Sequence, residues 1–140
     1  MNLQKILACM LFASINAAAF ANPCQGVNRV MDEKDRPAFS SEIARQLKTE
    51  LPDVASIQIL QYFSYQDWRV IYVDTQVSDE VFLIFNGSPL KGNYLDSLAG
   101  AYTMDDEKFI RNQLEKGKSK GIPTKLAKCI AWHITKARDM

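Results

Sequence analysis

The first 21 residues constrain the fold most, because they predict which part of the chain is left to fold. Lys5 supplies a charged start, residues 6–15 form an apolar run, and Ala19-Phe20-Ala21 offers an A-x-A cleavage site. This pattern is typical of a signal peptide cut after Ala21, so we expect a periplasmic or secreted protein. The mature chain of 119 residues (140 minus 21) is long enough for one domain and too short for two ordinary ones.

Two cysteines remain once the leader is removed. Cys9 lies inside the leader, where the apolar segment before it is too short to favour a lipoprotein. Cys24 and Cys129 form an even pair in an oxidising compartment, and we predict a disulfide between them. This bond would tie the start of the mature chain to its last helix. The alternative is a free Cys129 thiol that takes part in chemistry.

The charges of the mature chain balance overall but are unevenly distributed. Residues 66–107 carry eight acids and two bases, whereas residues 108–138 carry nine bases and one acid. Two solvated faces would explain this pattern, and so would a dipolar surface that steers an anionic partner onto the C-terminal part. Nucleic-acid binding is not expected of an exported, neutral chain. No run of 18 apolar residues follows the leader, so we expect no membrane span.

Periodic patterns predict one α+β domain over residues 22–140. Residues 40–51 have a helical apolar stripe, with Ser40 as the N-cap and Pro52 as the stop. Three runs rich in β-branched and aromatic residues follow, and short connections between them predict a three-stranded antiparallel meander. The predicted strands are residues 56–65, 68–73 and 80–85.

The rest of the chain predicts a long connection and two helices. Residues 88–101 form the connection, with a helical turn expected at 96–98. The first helix begins near a capping box at Thr103 and ends at Gly117, with Phe109, Ile110 and Leu114 as its buried stripe. The second runs from Pro123 to about residue 136.

The last helix has the most informative surface. Lys125, Lys128, Trp132 and Lys136 fall within an arc of about 80° on a helical wheel, opposite an apolar stripe. Trp132 can pack under the N-terminal segment, with the lysines solvated. Alternatively, the four residues form a basic contact surface for a partner, since Trp is a preferred anchor at interfaces. We call these four residues the Trp132 surface.

Other candidate sites have weaker patterns. Cys129 and His133 are one helical turn apart, a spacing that suits two metal ligands or a thiolate with its base. However, this is the only His in the chain, and a disulfide explains Cys129 more simply. Acids flank one hairpin turn (Asp74, Asp79, Glu80) without the ligand loop of an EF-hand. We therefore predict no metal and no cofactor, and name no catalytic residue.

Two stretches resemble parts of small exported bacterial proteins of unknown function. These are residues 67–74, with the sequence DWRVIYVD, and the segment from Gly121-Ile122-Pro123 to His133. The resemblance brings no active residues with it. In size and compartment the chain is also similar to periplasmic immunity proteins, which plug secreted toxins.

These observations predict a non-enzymatic binding protein whose partner is another envelope or secreted protein. A small cell-wall hydrolase that uses acids, or Cys129 with His133, is one alternative. A small-ligand carrier is another, with five aromatic residues lining a pocket rather than filling a core. Those residues are Tyr62, Phe63, Tyr72, Phe82 and Phe85.

Overall fold

The computed structural model describes residues 22–138, so the predicted signal peptide and its cleavage site lie outside the described residues. The fold combines three α-helices with one four-stranded antiparallel sheet and one disulfide, which confirms the α+β prediction. In chain order the elements are α1 (Arg36–Leu47), β1 (Gln58–Tyr65), β2 (Trp68–Asp74), β3 (Val81–Asn86), β4 (Asp96–Ala99), a 3₁₀ turn (Met104–Asp106), α2 (Glu107–Lys116) and α3 (Thr124–Lys136).

The sheet is a meander with the order β1-β2-β3-β4. The three predicted strands are present within two residues of their expected bounds. Gln66 and Asp67 make the tight turn between β1 and β2, and Gln66 adopts a positive φ of 54° there. Short loops of this kind join antiparallel neighbours, which is why the order in the sheet follows the order in the chain.

The predicted three-stranded meander is incomplete, because the connection after β3 contains β4. Phe82 pairs with Leu98 and Ile84 pairs with Asp96. The helical turn expected at 96–98 is therefore wrong. Alternate residues of β4 are buried and exposed, as in a strand with one covered face. A run of four residues is too short to show this period in the sequence, so β4 depends on its contact with β3.

The first helix is displaced from its predicted bounds of residues 40–51. It begins at Arg36 and ends at Leu47, and no side chain caps its N-terminus. Pro37 lies in the first turn, where its fixed φ suits a helix and its missing N–H costs nothing. Ser40 is consequently an interior residue rather than the N-cap. The chain leaves the helix four residues before Leu51.

Helices cover both faces of the sheet. One core lies between the sheet and the pair α2–α3, and we call it the α2–α3 core; the α1 core lies on the opposite face. The α2–α3 core includes Phe63, Val70, Phe82, Ile84, Leu98, Ile110, Leu126 and Ile130. The α1 core includes Phe39, Ile43, Leu47, Ile59, Ile71, Val73, Leu83 and Phe85. The middle strands are buried on both faces, as their continuous apolar runs require.

The entry to α2 confirms the predicted capping box. The Thr103 backbone N–H donates to Asp106 Oδ2 over 2.7 Å, at the start of the short 3₁₀ turn. Ile110 and Leu114 are buried as expected, but Phe109 is 61% exposed, so its predicted place in the buried stripe is wrong. None of the helices in residues 22–138 has the length and apolar content needed to cross a bilayer.

Gln46 fixes the loop that leads into β4. Its side chain is buried, and its Nε2 donates to the carbonyl oxygens of Pro89 (3.0 Å) and Gly92 (3.2 Å). Its Oε1 accepts a hydrogen bond from the Tyr94 backbone N–H over 3.1 Å. One α1 side chain therefore satisfies three backbone groups of a loop that has no regular structure of its own.

We expect Gln46→Leu to lower the free energy of unfolding by about 1–3 kcal/mol, because these backbone groups lose their partner in a buried site. Urea unfolding measures the loss, and hydrogen exchange should quicken at the Tyr94 amide. Gln113→Leu on half-buried α2 surface is the matched control and should change the free energy by less than about 0.5 kcal/mol. Equal effects of the two variants would contradict this role for Gln46.

Tyr94 makes stability sensitive to alkaline pH. Burial, followed by a hydrogen bond and charge interaction with Glu50, raises the pKa of its phenol to about 12. The unfolded chain loses this proton near pH 10, so the folded state is fully favoured below that pH and loses stability as the pH approaches 12. We expect Tyr94→Phe to lose less unfolding free energy than the parent protein between about pH 10 and pH 12. Urea unfolding at each pH measures this difference. The same dependence of the unfolding free energy on pH in both proteins would contradict the effect of Tyr94.

Candidate functional site

The last helix carries the candidate site. α3 starts after Pro123. The Ala127 N–H donates to the Pro123 carbonyl oxygen, which is the first hydrogen bond of the helix. Seven of its residues are buried: Leu126, Ala127, Cys129, Ile130, Ala131, His133 and Ile134. Most of them lie away from the Trp132 surface, while Cys129 lies at its border beside Lys136 on the helical wheel. The wide buried side fixes the orientation of α3, so the three lysines of the Trp132 surface are exposed and Trp132 is half-buried.

Trp132 lies at the centre of this outward side. It is half-buried and packs against the α2–α3 core, while Lys128, one turn earlier, is exposed. The indole therefore has one part fixed by the fold and another part available to a second molecule. A large, rigid side chain held in this way loses little conformational entropy on binding.

Lys125 is held by the N-terminal part of the domain and by β1. Its Nζ lies 5.6 Å from the centroid of the Tyr65 ring, within the range of a cation–π contact. It also lies against Gly26, where an added Cβ would come within 2.9 Å of Nζ. Gly26 has a φ of 83°, which favours glycine, so both the turn and the space for Lys125 depend on this residue.

Lys136 forms an ion pair with Glu107 at the start of α2. Both side chains are partly exposed, so the pair contributes little to stability. Its effect on the site is electrostatic, because it neutralises one of the three lysines. Lys125 and Lys128 remain as the cations that precede Trp132 on this side of α3.

Arg29 adds a cation that the sequence analysis did not identify. Its Cζ lies 4.3 Å from the centroid of the Phe63 ring, and Phe63 in turn lies 4.9 Å from the His133 ring centroid. Burial lowers the pKa of this guanidinium, which nevertheless stays charged in proteins. The N-terminal segment brings Arg29 here by pairing Asn28 with Ser64 of β1. No sequence pattern around residue 29 indicates that contact.

The Cys129–His133 pair does not form a nucleophilic site. Cys129 is bonded to Cys24, which confirms the predicted disulfide and removes the free thiol that the Cys129–His133 version of the hydrolase alternative required. His133 is fully buried rather than on the border of the two faces, and its Nε2 lies 2.6 Å from Gln61 Oε1. Gln61 Nε2 donates to the Arg138 carbonyl oxygen over 2.9 Å. This chain of contacts ties the end of α3 to β1.

The aromatic residues of the carrier alternative are divided between the two faces of the sheet. Phe63, Tyr72 and Phe82 belong to the α2–α3 core, whereas Phe85 belongs to the α1 core with Tyr62 packed against it. They cannot line one common pocket, because the sheet itself separates them.

The acids do not gather into a ligand set. Within residues 22–138, no group of three or more His, Cys, Asp or Glu side chains is arranged to hold a metal ion. This includes the acids that flank the turn between β2 and β3, which are Asp74, Asp79 and Glu80.

The chain matches no protein-family model, no curated protein and no solved structure.

Proposed function

We propose that this protein is an exported, non-enzymatic binding protein that recognises an acidic protein of the envelope or of the secreted fraction through the Trp132 surface. An inhibitor of the immunity type, which covers a site on a secreted toxin or an envelope enzyme, is the form of this function that we favour. The observation that carries the proposal is a half-buried Trp132 on the same side of α3 as the exposed Lys125 and Lys128, which precede it along the helix.

The charge of the C-terminal part supports an acidic partner. Residues 108–138 contain nine bases and one acid, and they include α3 and most of α2. Complementary charge increases the rate at which partners meet and excludes wrong partners, while a desolvated aromatic anchor supplies most of the affinity. The Trp132 surface offers both features on one helix.

The disulfide supports export and a role without covalent catalysis. A bond between Cys24 and Cys129 is stable in the periplasm or outside the cell and is rare in a reducing cytoplasm. The same bond occupies the cysteine that would otherwise be the candidate nucleophile. The proposal therefore assigns Cys129 to stability and Trp132 with its lysines to binding.

A capture experiment with charge-reversal variants tests the binding surface. The mature protein is immobilised and exposed to periplasmic extract of its native host, and captured proteins are identified and quantified by mass spectrometry. We expect Lys128→Glu to lower capture of an acidic partner about tenfold, since it places a like charge in the interface. Lys48→Glu, which changes an exposed lysine beside α1, is the matched control and should leave capture unchanged.

Two outcomes would contradict the proposal. Equal capture by both variants would remove the Trp132 surface from the interaction. An intact mass that still includes residues 1–21 in protein purified from the native host would contradict export with cleavage after Ala21.

A further inference from the structure

The two edges of the sheet differ. At the β1 edge, the N-terminal segment pairs with the strand, since Asn28 and Ser64 exchange two backbone hydrogen bonds of 2.9 and 2.8 Å. At the opposite edge, β4 is bonded to β3 and to no other strand within residues 22–138. Alternate backbone groups of an edge strand point away from its neighbour, so β4 presents a short row of main-chain donors and acceptors.

An open cleft lies beside this edge on the α1 side. Leu98 points into the α2–α3 core, so Ser97 and Ala99 point to the other face, where both are exposed. These small side chains leave a cleft of about 170 Å³ between β4 and the end of α1. Leu47, Leu51 and Leu83 supply its apolar wall.

The cleft has an acidic border. Glu50 and Asp79 line it, and Glu80 follows Asp79 in the neighbouring cleft at the end of β4. Arg138 also lines this second cleft, and its Nη2 donates to the Gly100 carbonyl oxygen over 3.1 Å. Among the residues that line these two clefts, three carboxylates stand against one guanidinium, so the lining is net negative.

We propose that β4 accepts an extended basic segment of a partner protein as a fifth strand. The main chain of the segment would pair with the free edge of β4, one apolar side chain would enter the cleft over Ser97 and Ala99, and Lys or Arg residues on the segment would lie near Glu50 and Asp79. This is β-strand addition, in which main-chain hydrogen bonds give affinity and pockets for alternate side chains give specificity. The Ser97 N–H donates to Asp96 Oδ1 over 2.9 Å, a bond that the incoming carbonyl group would replace.

Charge decides between this occupant and a second copy of the chain. Pairing two β4 strands would bring the same carboxylates of both copies together, and like charges across an interface repel. A basic segment meets the opposite charge instead. The inferred interaction is separate from the Trp132 surface, which selects an acidic partner and lies on α3.

Two short peptides test the proposal. The probes are acetylated and amidated peptides with the sequences Lys-Val-Lys-Val-Lys-Val-Lys and Glu-Val-Glu-Val-Glu-Val-Glu, titrated into the mature, oxidised protein. We expect the basic peptide to slow hydrogen exchange and shift the NMR signals of amides 96–100, and the acidic peptide to do neither. Binding of both peptides alike, or changes that fall elsewhere in the protein, would overturn the proposal.

Substitutions separate this site from a general attraction of charges. Asp79→Lys should weaken binding of the basic peptide about tenfold, while the matched reversal Asp53→Lys, at an exposed acid that does not line this cleft, should weaken binding less than about twofold. Lys128→Glu should leave peptide binding unchanged even if it abolishes capture through the Trp132 surface. Equal losses in Asp79→Lys and Asp53→Lys would overturn the site. A concentration-dependent dimer that protects amides 96–100 would also overturn it, because the occupant would then be a second copy.

Discussion

Loss of the Cys24–Cys129 disulfide should lower the free energy of unfolding by about 4.7 kcal/mol, the value that chain-entropy estimates give for a closed loop of about 100 residues. The two cysteines are 105 positions apart, so the bond restricts nearly the whole unfolded domain. Small domains have a total stability of about 5–15 kcal/mol. Reduction should therefore remove a large part of what holds this fold together.

Urea unfolding of residues 22–140 with and without reductant measures this loss. The Cys24→Ala, Cys129→Ala double variant is the matched control, because it lacks the bond without leaving a reactive thiol. The variant should resemble the reduced parent protein and should not respond to reductant. A shift below about 1 kcal/mol on reduction would mean that the unfolded chain is already compact enough for the bond to matter little.

Phe63→Ala should lower the free energy of unfolding by about 3–5 kcal/mol. Phe63 is fully buried in the α2–α3 core, with its ring 4.9 Å from that of His133 and beneath the Arg29 guanidinium. Removing the ring leaves a cavity under α3 and takes away the platform on which Arg29 rests. We expect the Trp132 surface to become less ordered as the last helix loses this support.

Phe109→Ala is the matched control for Phe63→Ala. The substitution is the same, but Phe109 is 61% exposed on α2, so we expect a change within about 0.5 kcal/mol. Thermal and urea unfolding of both variants give the comparison. Similar losses in the two would contradict the burial that separates these residues.

The sequence predicted the helices and strands that are long enough to show a clear apolar pattern. α3 has 13 residues with a clear apolar side, and β2 and β3 are continuous apolar runs, so all three were found within two residues of their bounds. β4 has four residues and exists because β3 lies beside it, which no local pattern can report. The start of α1 was missed because a charged loop ending in Pro37 also suits a helical first turn.

The same limit applies to the candidate site: positions within one helix can be predicted from the sequence, whereas contacts between distant segments cannot. A helical wheel places the Trp132 surface on one side of α3, because its residues are close in sequence. It cannot show that Arg29 lies over Phe63 or that Lys125 of α3 lies over Tyr65, because these contacts arise when distant strands and segments pack together. The cleft beside β4 is likewise formed by α1, β3 and β4 jointly. The predicted burial of Phe109 is wrong for the opposite reason. Its spacing in the sequence suits a core position, but its side chain is exposed in the fold.

The covalent link between the first and last parts of the domain has a consequence for proteolysis. Every loop of the sheet lies between positions 24 and 129, so a protease that cuts one peptide bond in any of these loops produces two fragments that remain joined. Such a nicked molecule would migrate as one species until a thiol is added. A protein with this linkage can therefore lose the continuity of its backbone to a protease while both of its fragments stay together.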